Sequence, residues 1–501
     1  MRLLKAITVS GLTLVLAFAA TGATLAAEPA DTAQVLKTLD PVFELFMKEN
    51  HVPGLVFGVV HGGKMEYVRA FGVQDAHTNT PVDADTVFRI ASMSKQFAAL
   101  ATLRLRDAGK LELDAPAERY VPELARLRYP TTDSPKIRVR DLLSHAAGFV
   151  TDDPWGDRQL AMSEEDFSRF IAGGLPFTRT PNVGYEYSNT GYALVGRIVT
   201  NVAKRNYADY VAREFFAPLG MPATTYDIAK IPAAHRAIGY RWENDAWREE
   251  PALGPGAFGA MGGVATSAND YAHYVAWVLS AWPPRDGADS PILRRSSVRE
   301  ITRPSNYTIP FPPLDPAGCA RSSAYGFGVH SQNDCILGFH FLHSGGLPGY
   351  GSNVLFVPNR DFAVFAFANR TYAPASRPVR DAANLLARSG AFPVRAIEAG
   401  AALRTMLAAA GDIYETGDVL SKPGIFALNF FLDRDAALRN ADIAALKQKT
   451  GACATPSPAN VSADGAMSGT FEFACERGSI KANLILAPTT PPTLQKLEFT
   501  Q

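Results

Sequence analysis

Ser92 and Lys95, three residues apart in the stretch FRIASMSKQF, are a pair whose types and spacing could do covalent chemistry. Positions three apart share a helical face, so a helix starting near Ala91 would set the amine over the hydroxyl. A serine hydroxyl is a weak nucleophile until a base takes its proton, and lysine is a base only when neutral. Lowering its pKa by about three units, through burial and the positive end of the helix, costs roughly 4 kcal/mol. Phe88, Ile90, Met93, Phe97 and Leu100 are available as apolar walls. The plainer reading makes Ser92 a helix cap and Lys95 a solvated first-turn residue, yet the helix dipole disfavours a cation at that position.

Two other segments offer partners. In GYEYSNTGYALVGRIV, Tyr187 and Asn189 flank Ser188 in a loop leading into a helix. A phenol beside an amine can shuttle protons, and an amide can hold a lysine head or a substrate carbonyl. Structurally the same residues read as a buried aromatic and a helix N-cap. In FLHSGGLPGYGSNVLFVPN, His343, Ser344 and Gly345 finish a strand before a glycine loop. Its glycines would let a substrate backbone lie against the strand, and His343 and Ser344 offer donors. A backbone N–H near Gly346, with that of Ser92, could form an oxyanion hole in which each donor is worth about 3 kcal/mol. A literal Lys449-Thr450-Gly451 ends the helical run ADIAALKQK, where late lysines and a glycine are ordinary C-cap chemistry.

The elements that must position these residues follow from periodicity. DTAQVLKTLDPVFELFMKEN is helical, with Val35, Leu36, Leu39, Val42, Phe43 and Phe46 on one side. GLVFGVVHGGKMEYVRAFGVQD reads as a hairpin around Gly62-Gly63. Helical spacing broken by proline-rich loops runs from about residue 84 to 280. The strand runs YGFGVHSQ, CILGFHFLHSGG, GSNVLFVPN and DFAVFAFAN come next, then a helix from about Arg377 to Ala387. Strands at both ends with helices between imply one mixed sheet with an inserted helical subdomain, the site lying at their junction. From residue 395, the helical runs AIEAGAALRTMLAAAG and AALRNADIAALKQKTG and the strands SGTFEFACE and GSIKANLIL imply a small α+β appendage.

The 501 residues carry 49 Lys plus Arg against 49 Asp plus Glu. No global field draws in nucleic acid or an anionic membrane, so the partner is expected to be a small molecule or peptide. Arg2 and Lys5 precede an apolar run and then small residues, the layout of a secretory signal over residues 1–27. The run from Ala6 to Ala20 is shorter than the roughly 20 residues of a membrane span. The expectation is therefore a periplasmic or secreted protein without a span after cleavage. Export permits disulfides, and of the three possible pairings the two local ones, Cys319 with Cys335 and Cys453 with Cys475, are preferred; unpaired thiols are the alternative.

IASMSK, YSN and HSGG in this order, with RVRDLLSHAAGF, GAMGGVATSANDYAHYV and YGFGV, resemble the serine β-lactamase and penicillin-binding-protein family. The nearest branch is that of class C β-lactamases, D-aminopeptidases and family VIII esterases, over about residues 31 to 390. The resemblance implies a β-lactamase/transpeptidase-like α/β (α+β) fold: a mixed antiparallel sheet flanked by helices in residues 28–394, with 395–501 a small α+β domain. It implies that Ser92 is acylated, that Lys95 and Tyr187 share acid/base work, that Asn189 aids positioning, and that His343 to Gly346 line the substrate strand. No cofactor is implied, and no metal is expected, because the odd spacing of His340 and His343 sends them to opposite faces of a strand. His145, in LLSHAAGF, is expected to be structural.

The class C pattern has Lys-Thr-Gly where this chain has His343-Ser344-Gly345. A histidine is mostly neutral at pH 7, which shifts the expectation from β-lactams towards ester, amide or D-amino-acid peptide substrates, cell-wall-derived ones among them. A true class C-like β-lactamase and a non-catalytic cell-wall peptide-binding protein are the alternatives. A Ser-His-Asp hydrolase is disfavoured because no Gly-x-Ser-x-Gly occurs.

Overall fold

FAVFAFA contains no polar residue. In the computed structural model, which describes residues 31–308, 319–456 and 463–501, it forms a strand, Phe362–Ala368, buried along its whole length. Side chains alternate between the faces of a strand, and here they feed two cores. Ala363, Phe365 and Phe367 join one, and Phe362, Val364, Ala366 and Ala368 the other. This is the ninth strand of a single sheet. Before it come β1 Gly54–His61, β2 Lys64–Asp75, β3 Thr80–Pro81, β4 Asn306–Tyr307, β5 Arg321–Tyr325, β6 His330–Asp334, β7 Gly338–Leu347 and β8 Tyr350–Val357, so Phe362–Ala368 is β9.

The strand order is β3-β2-β1-β9-β8-β7-β6-β5-β4, and each pairing is antiparallel. The N-terminal hairpin thus completes a sheet whose other strands come some 300 residues later, as Gly54 N–H donating to Asn369 Oδ1 across a separation of 315 shows. The hairpin turns at Gly62 and Gly63, both at positive φ, as a two-residue loop requires.

One face is covered by α1 Thr32–Lys37, α2 Asp40–Glu49 and α6 Ser376–Arg388. The predicted single N-terminal helix is two, because Pro41 in the first turn of α2 cannot continue the α1 ladder. The other face packs on the helical insertion, including α3 Lys95–Asp107, α4 Asn189–Ala203 and α5 Ala268–Leu279. YGFGVHSQ, read as one strand, is divided between β5 and β6. Gly328 lies between them at φ +73°, where a Cβ would come within 2.7 Å of the Lys95 carbonyl oxygen, so the chain turns there against the site.

A separate core runs from Ala399 to Leu497. It is built by α7 Ala401–Thr416 and α8 Ala436–Thr450 on an antiparallel sheet of Cys453–Ala454, β10 Ser468–Cys475, β11 Gly478–Ala487 and β12 Thr493–Thr500. The last strand was not anticipated from LQKLEFT. Cys453 sits directly opposite Cys475 across the ladder, and both local disulfides are formed. The expected leader, residues 1–27, lies outside the described residues. Among the described residues no helix is long and apolar enough to cross a membrane.

Phe365 packs against Tyr271 and Phe367, with ring centroids 5.3 and 5.2 Å away, in space left by Gly58, whose absent side chain would collide with it. Phe365→Ala should lower unfolding stability by about 3–5 kcal/mol. Leu432→Ala, at a position 78% exposed, should change it by less than about 0.5 kcal/mol; denaturant titration compares the two.

Candidate active site

Ser92 and Lys95 meet as the spacing predicts, but on a different helix type. Ala91–Ser94 is a 3-10 turn and Lys95 is the first residue of α3. Ala91 holds φ +49°, a left-handed conformation costing about 1–2 kcal/mol for a residue with a Cβ. The turn is pinned on both sides. Ile90 N–H donates to Val264 O at 3.0 Å, and Val264 N–H donates to Ser94 Oγ at 3.0 Å. On the other side, Ser352 Oγ donates to Ile90 O at 2.8 Å.

Lys95 is fully buried. Its Nζ lies 2.9 Å from Ser92 Oγ, 2.8 Å from Asn189 Oδ1 and 2.8 Å from Met261 O. An ammonium donates to all three. A neutral amine keeps two donations, to Asn189 and Met261, and turns its lone pair to the Ser92 proton, the arrangement a general base needs. The five apolar residues expected around it are all buried, but the rings flanking Nζ are Tyr187 and Tyr192, with centroids 4.8 and 5.5 Å away.

Burial pushes the Lys95 amine down to about 8, against the pull of Asp153, Asp157 and Asp152, which favour the ammonium. All three carboxylates come from the loop TDDPWGD, which the sequence reading passed over. Asp152 accepts from the backbone N–H groups of Asn189 and Thr190, both at 2.7 Å, and so caps α4. Asp153 accepts from Asn189 Nδ2. Asp157 accepts from Tyr372 O–H at 2.9 Å. Burial raises Asp153, and burial followed by Asp153 pushes Asp157 up to about 7.

Tyr187 O–H donates to Ser92 Oγ at 2.8 Å, and burial holds its phenol well above the usual range. It is a proton donor at neutral pH, not a phenolate. The tyrosine is backed by His145, whose ring is 4.4 Å away and whose Nδ1 accepts from Ser188 N–H at 3.1 Å. His145 is a buried support, and burial keeps it neutral.

Asn189, expected to hold either the lysine head or a substrate carbonyl, is fully buried and holds the lysine. It lies behind the lysine, because both ends of its amide are taken by Lys95 and Asp153. Ser188, not Asn189, is the N-cap of α4. His343, expected to offer donors, is also committed. Its Nδ1 donates to Ser344 O at 2.6 Å, leaving Nε2 to accept from Tyr325 O–H at 2.9 Å, and burial holds it neutral.

The two glycines also make room for the chain itself. A Cβ at Gly345 would strike Ile90 O and Ser352 Oγ, and one at Gly346 would strike the Tyr372 ring. Their missing side chains admit the Ser92 turn and Tyr372, and both glycines line the cavity above Ser92. Ser344 is exposed on the strand. Lys449-Thr450-Gly451 ends α8, with Gly451 at φ +77°, far in sequence and in a different core.

Above Ser92 opens a cavity of about 650 Å³, walled by the 151–157 loop, Tyr187, His330, β7 and the segment 372–376. Met261 and Tyr325, inside quoted motifs but given no role there, and His330 and Tyr372 join the site as well. Their approach is made by loops and distant strands, which periodicity does not report.

A family model described as Beta-lactamase matches residues 39–389. The chain is 26% identical over 337 residues to Protein flp of Staphylococcus aureus (strain COL), covering 66% of this chain and 62% of that protein. It is 28% identical over 217 residues to Penicillin-binding protein 4* of Bacillus subtilis (strain 168), covering 41% and 46%. The chain thus spans less than two thirds of the length of these relatives. Its fold is similar to that of the octameric penicillin-binding protein homologue from Pyrococcus abyssi, with a TM-score of 0.59 and 18% identity, over 93% of this chain and all of that one.

Because the base must be neutral, labelling of Ser92 by a fluorophosphonate should accelerate as pH rises through about 8. Asp153→Asn removes a charge that favours the ammonium while keeping an acceptor for Asn189, so the rising limb should move to lower pH. A limb that stays put or moves up would show that Asp153 does not bias the lysine.

Proposed function

Since the chain belongs to the β-lactamase family, we propose that it is an exported serine hydrolase that acylates Ser92 and turns over ester, amide or D-amino-acid peptide substrates. The observation that carries the reading is the lysine amine, buried and shifted towards neutrality, 2.9 Å from Ser92 Oγ. In the acylation step Ser92 Oγ bonds to the substrate carbonyl carbon while its proton passes to Lys95. The Tyr187 phenol, already donating to that oxygen, is placed to pass a proton on to the departing alkoxide or amine as the carbonyl–heteroatom bond breaks. Water then attacks the acyl-enzyme, gives up its proton through the same pair, and releases the acid and Ser92.

The backbone N–H groups of Ser92 and Gly346 are the proposed oxyanion donors, since β7 lies against the nucleophile turn at Gly345. A neutral, internally bonded His343 gives no cation for a substrate carboxylate, and this favours esters and amides over cephalosporins. The charged leader and the two disulfides support export to the periplasm or beyond. A purely binding role is disfavoured because burying a lysine against a serine is costly and serves nothing in a passive receptor.

The mature protein should hydrolyse p-nitrophenyl acetate or butyrate, and Ser92→Ala should abolish this. Lys95→Ala should reduce kcat by about 10²–10⁴, more than His343→Ala does. Unchanged turnover in Ser92→Ala would remove the assignment, and the reverse order of the other two would reassign the base.

A further inference from the structure

The side chains lining the cleft above Ser92 include two carboxylates, Asp153 and Asp157, and, among the described residues, no arginine or lysine. Asp153 is exposed in the cleft, whereas Asp157 is buried against Tyr372. Lys95 lies beneath the floor with its donors committed. The strand position that would receive a substrate carboxylate is occupied by His343, neutral and turned onto Tyr325 and Ser344. A second imidazole, His330, lines the same cavity. Its Nδ1 is buried without a hydrogen-bond partner, and burial, with Arg321 behind it, holds the ring near 4, hence neutral. The cavity therefore presents negative charge to whatever enters.

We propose that the acyl group this cleft accepts carries a cationic amine, held by Asp153 and Asp157. This rests on the Ser92 hydrolase reading and names the substrate class within it: aminoacyl esters and amides, not acyl groups bearing a carboxylate. The carboxyls are unfavourably placed without such a partner: desolvation raises both, and repulsion adds to it, from Asp152 at Asp153 and from Asp153 at Asp157. A ligand ammonium relieves that repulsion and is linked to proton release from the pair. The other groups facing them are Lys95, which repels a cation until it loses its proton, Asp152, which adds attraction, and Tyr187 and Tyr372, which burial keeps neutral. Attraction for a cation should therefore grow as pH rises through about 7, where Asp157 loses its proton.

The test uses three anilides of one shape as competitors of p-nitrophenyl acetate hydrolysis by the full chain. They are alanine anilide in both enantiomers, isobutyranilide and methylmalonic monoanilide, which place an ammonium, a methyl or a carboxylate at the same point. At pH 7.5 the better alanine enantiomer should have a Ki roughly tenfold below that of isobutyranilide, with the carboxylate weakest. The advantage should shrink at pH 5.5 and in Asp157→Asn; should that variant not fold, Asp153→Asn and the wild-type pH series carry the comparison. Equal Ki values, or a preference for the carboxylate, with turnover that Ser92→Ala abolishes, would overturn the charge assignment alone. Ester turnover that survives Ser92→Ala would remove the hydrolase reading and this inference together.

Discussion

An amine taken wholly out of water must find partners for its protons, and supplying those partners to Lys95 organises the whole site. The partners come from three segments that are remote in sequence: Ser92 in its own turn, Asn189 at the start of α4, and Met261 in the Gly259–Gly262 helical turn. Each segment is fixed by something else. Asp152 caps α4, Val264 clasps the nucleophile turn, and β7 lies against it because Gly345 has no side chain. An unmade hydrogen bond to a buried group costs about 1–3 kcal/mol, more when the group is charged, so loosening any one segment is felt at the amine.

The electrostatic setting follows from the same burial. His145 and His343 lie within the field of the lysine and His330 packs beside His343, and all three are held neutral by desolvation. They serve as shaped, dipolar packing for Tyr185, Tyr187 and Tyr325. The opposing influence is carried by Asp152, Asp153 and Asp157, without which a lysine so buried would lose its proton more readily. The amine near neutrality is thus a balance between desolvation and three carboxylates from a single loop.

Much of this was legible in the sequence, in a particular way. Local spacing reported Ser92 with Lys95, the Gly62-Gly63 hairpin, both disulfide partnerships and the C-cap nature of Lys449-Thr450-Gly451, because each depends on residues a few positions apart or on turn chemistry. What escaped depends on distant contact. Gly328 reads as part of a strand until the Lys95 carbonyl is seen beside it. Gly345 and Gly346 read as room for a ligand, and only the fold shows that they must also admit Ile90, Ser352 and Tyr372. His343 reads as a donor to substrate until Tyr325, 18 residues away, takes its free nitrogen. The acidic loop gave no signal because its carboxylates act through α4 and through field, neither of which has a period.

The pairing of β1 with β9 also governs when the molecule can exist. Gly54 and the Asn369 that receives its N–H are 315 residues apart, so a growing polypeptide has no finished central sheet until almost three quarters of it has been made. Non-local pairing of this kind slows folding. The nucleophile turn leans on Ser352 from the same late segment, and so a partly synthesised or truncated chain holds its serine and lysine without the clasp that aligns them. Alignment of the pair therefore arrives late, with the closing of the central sheet.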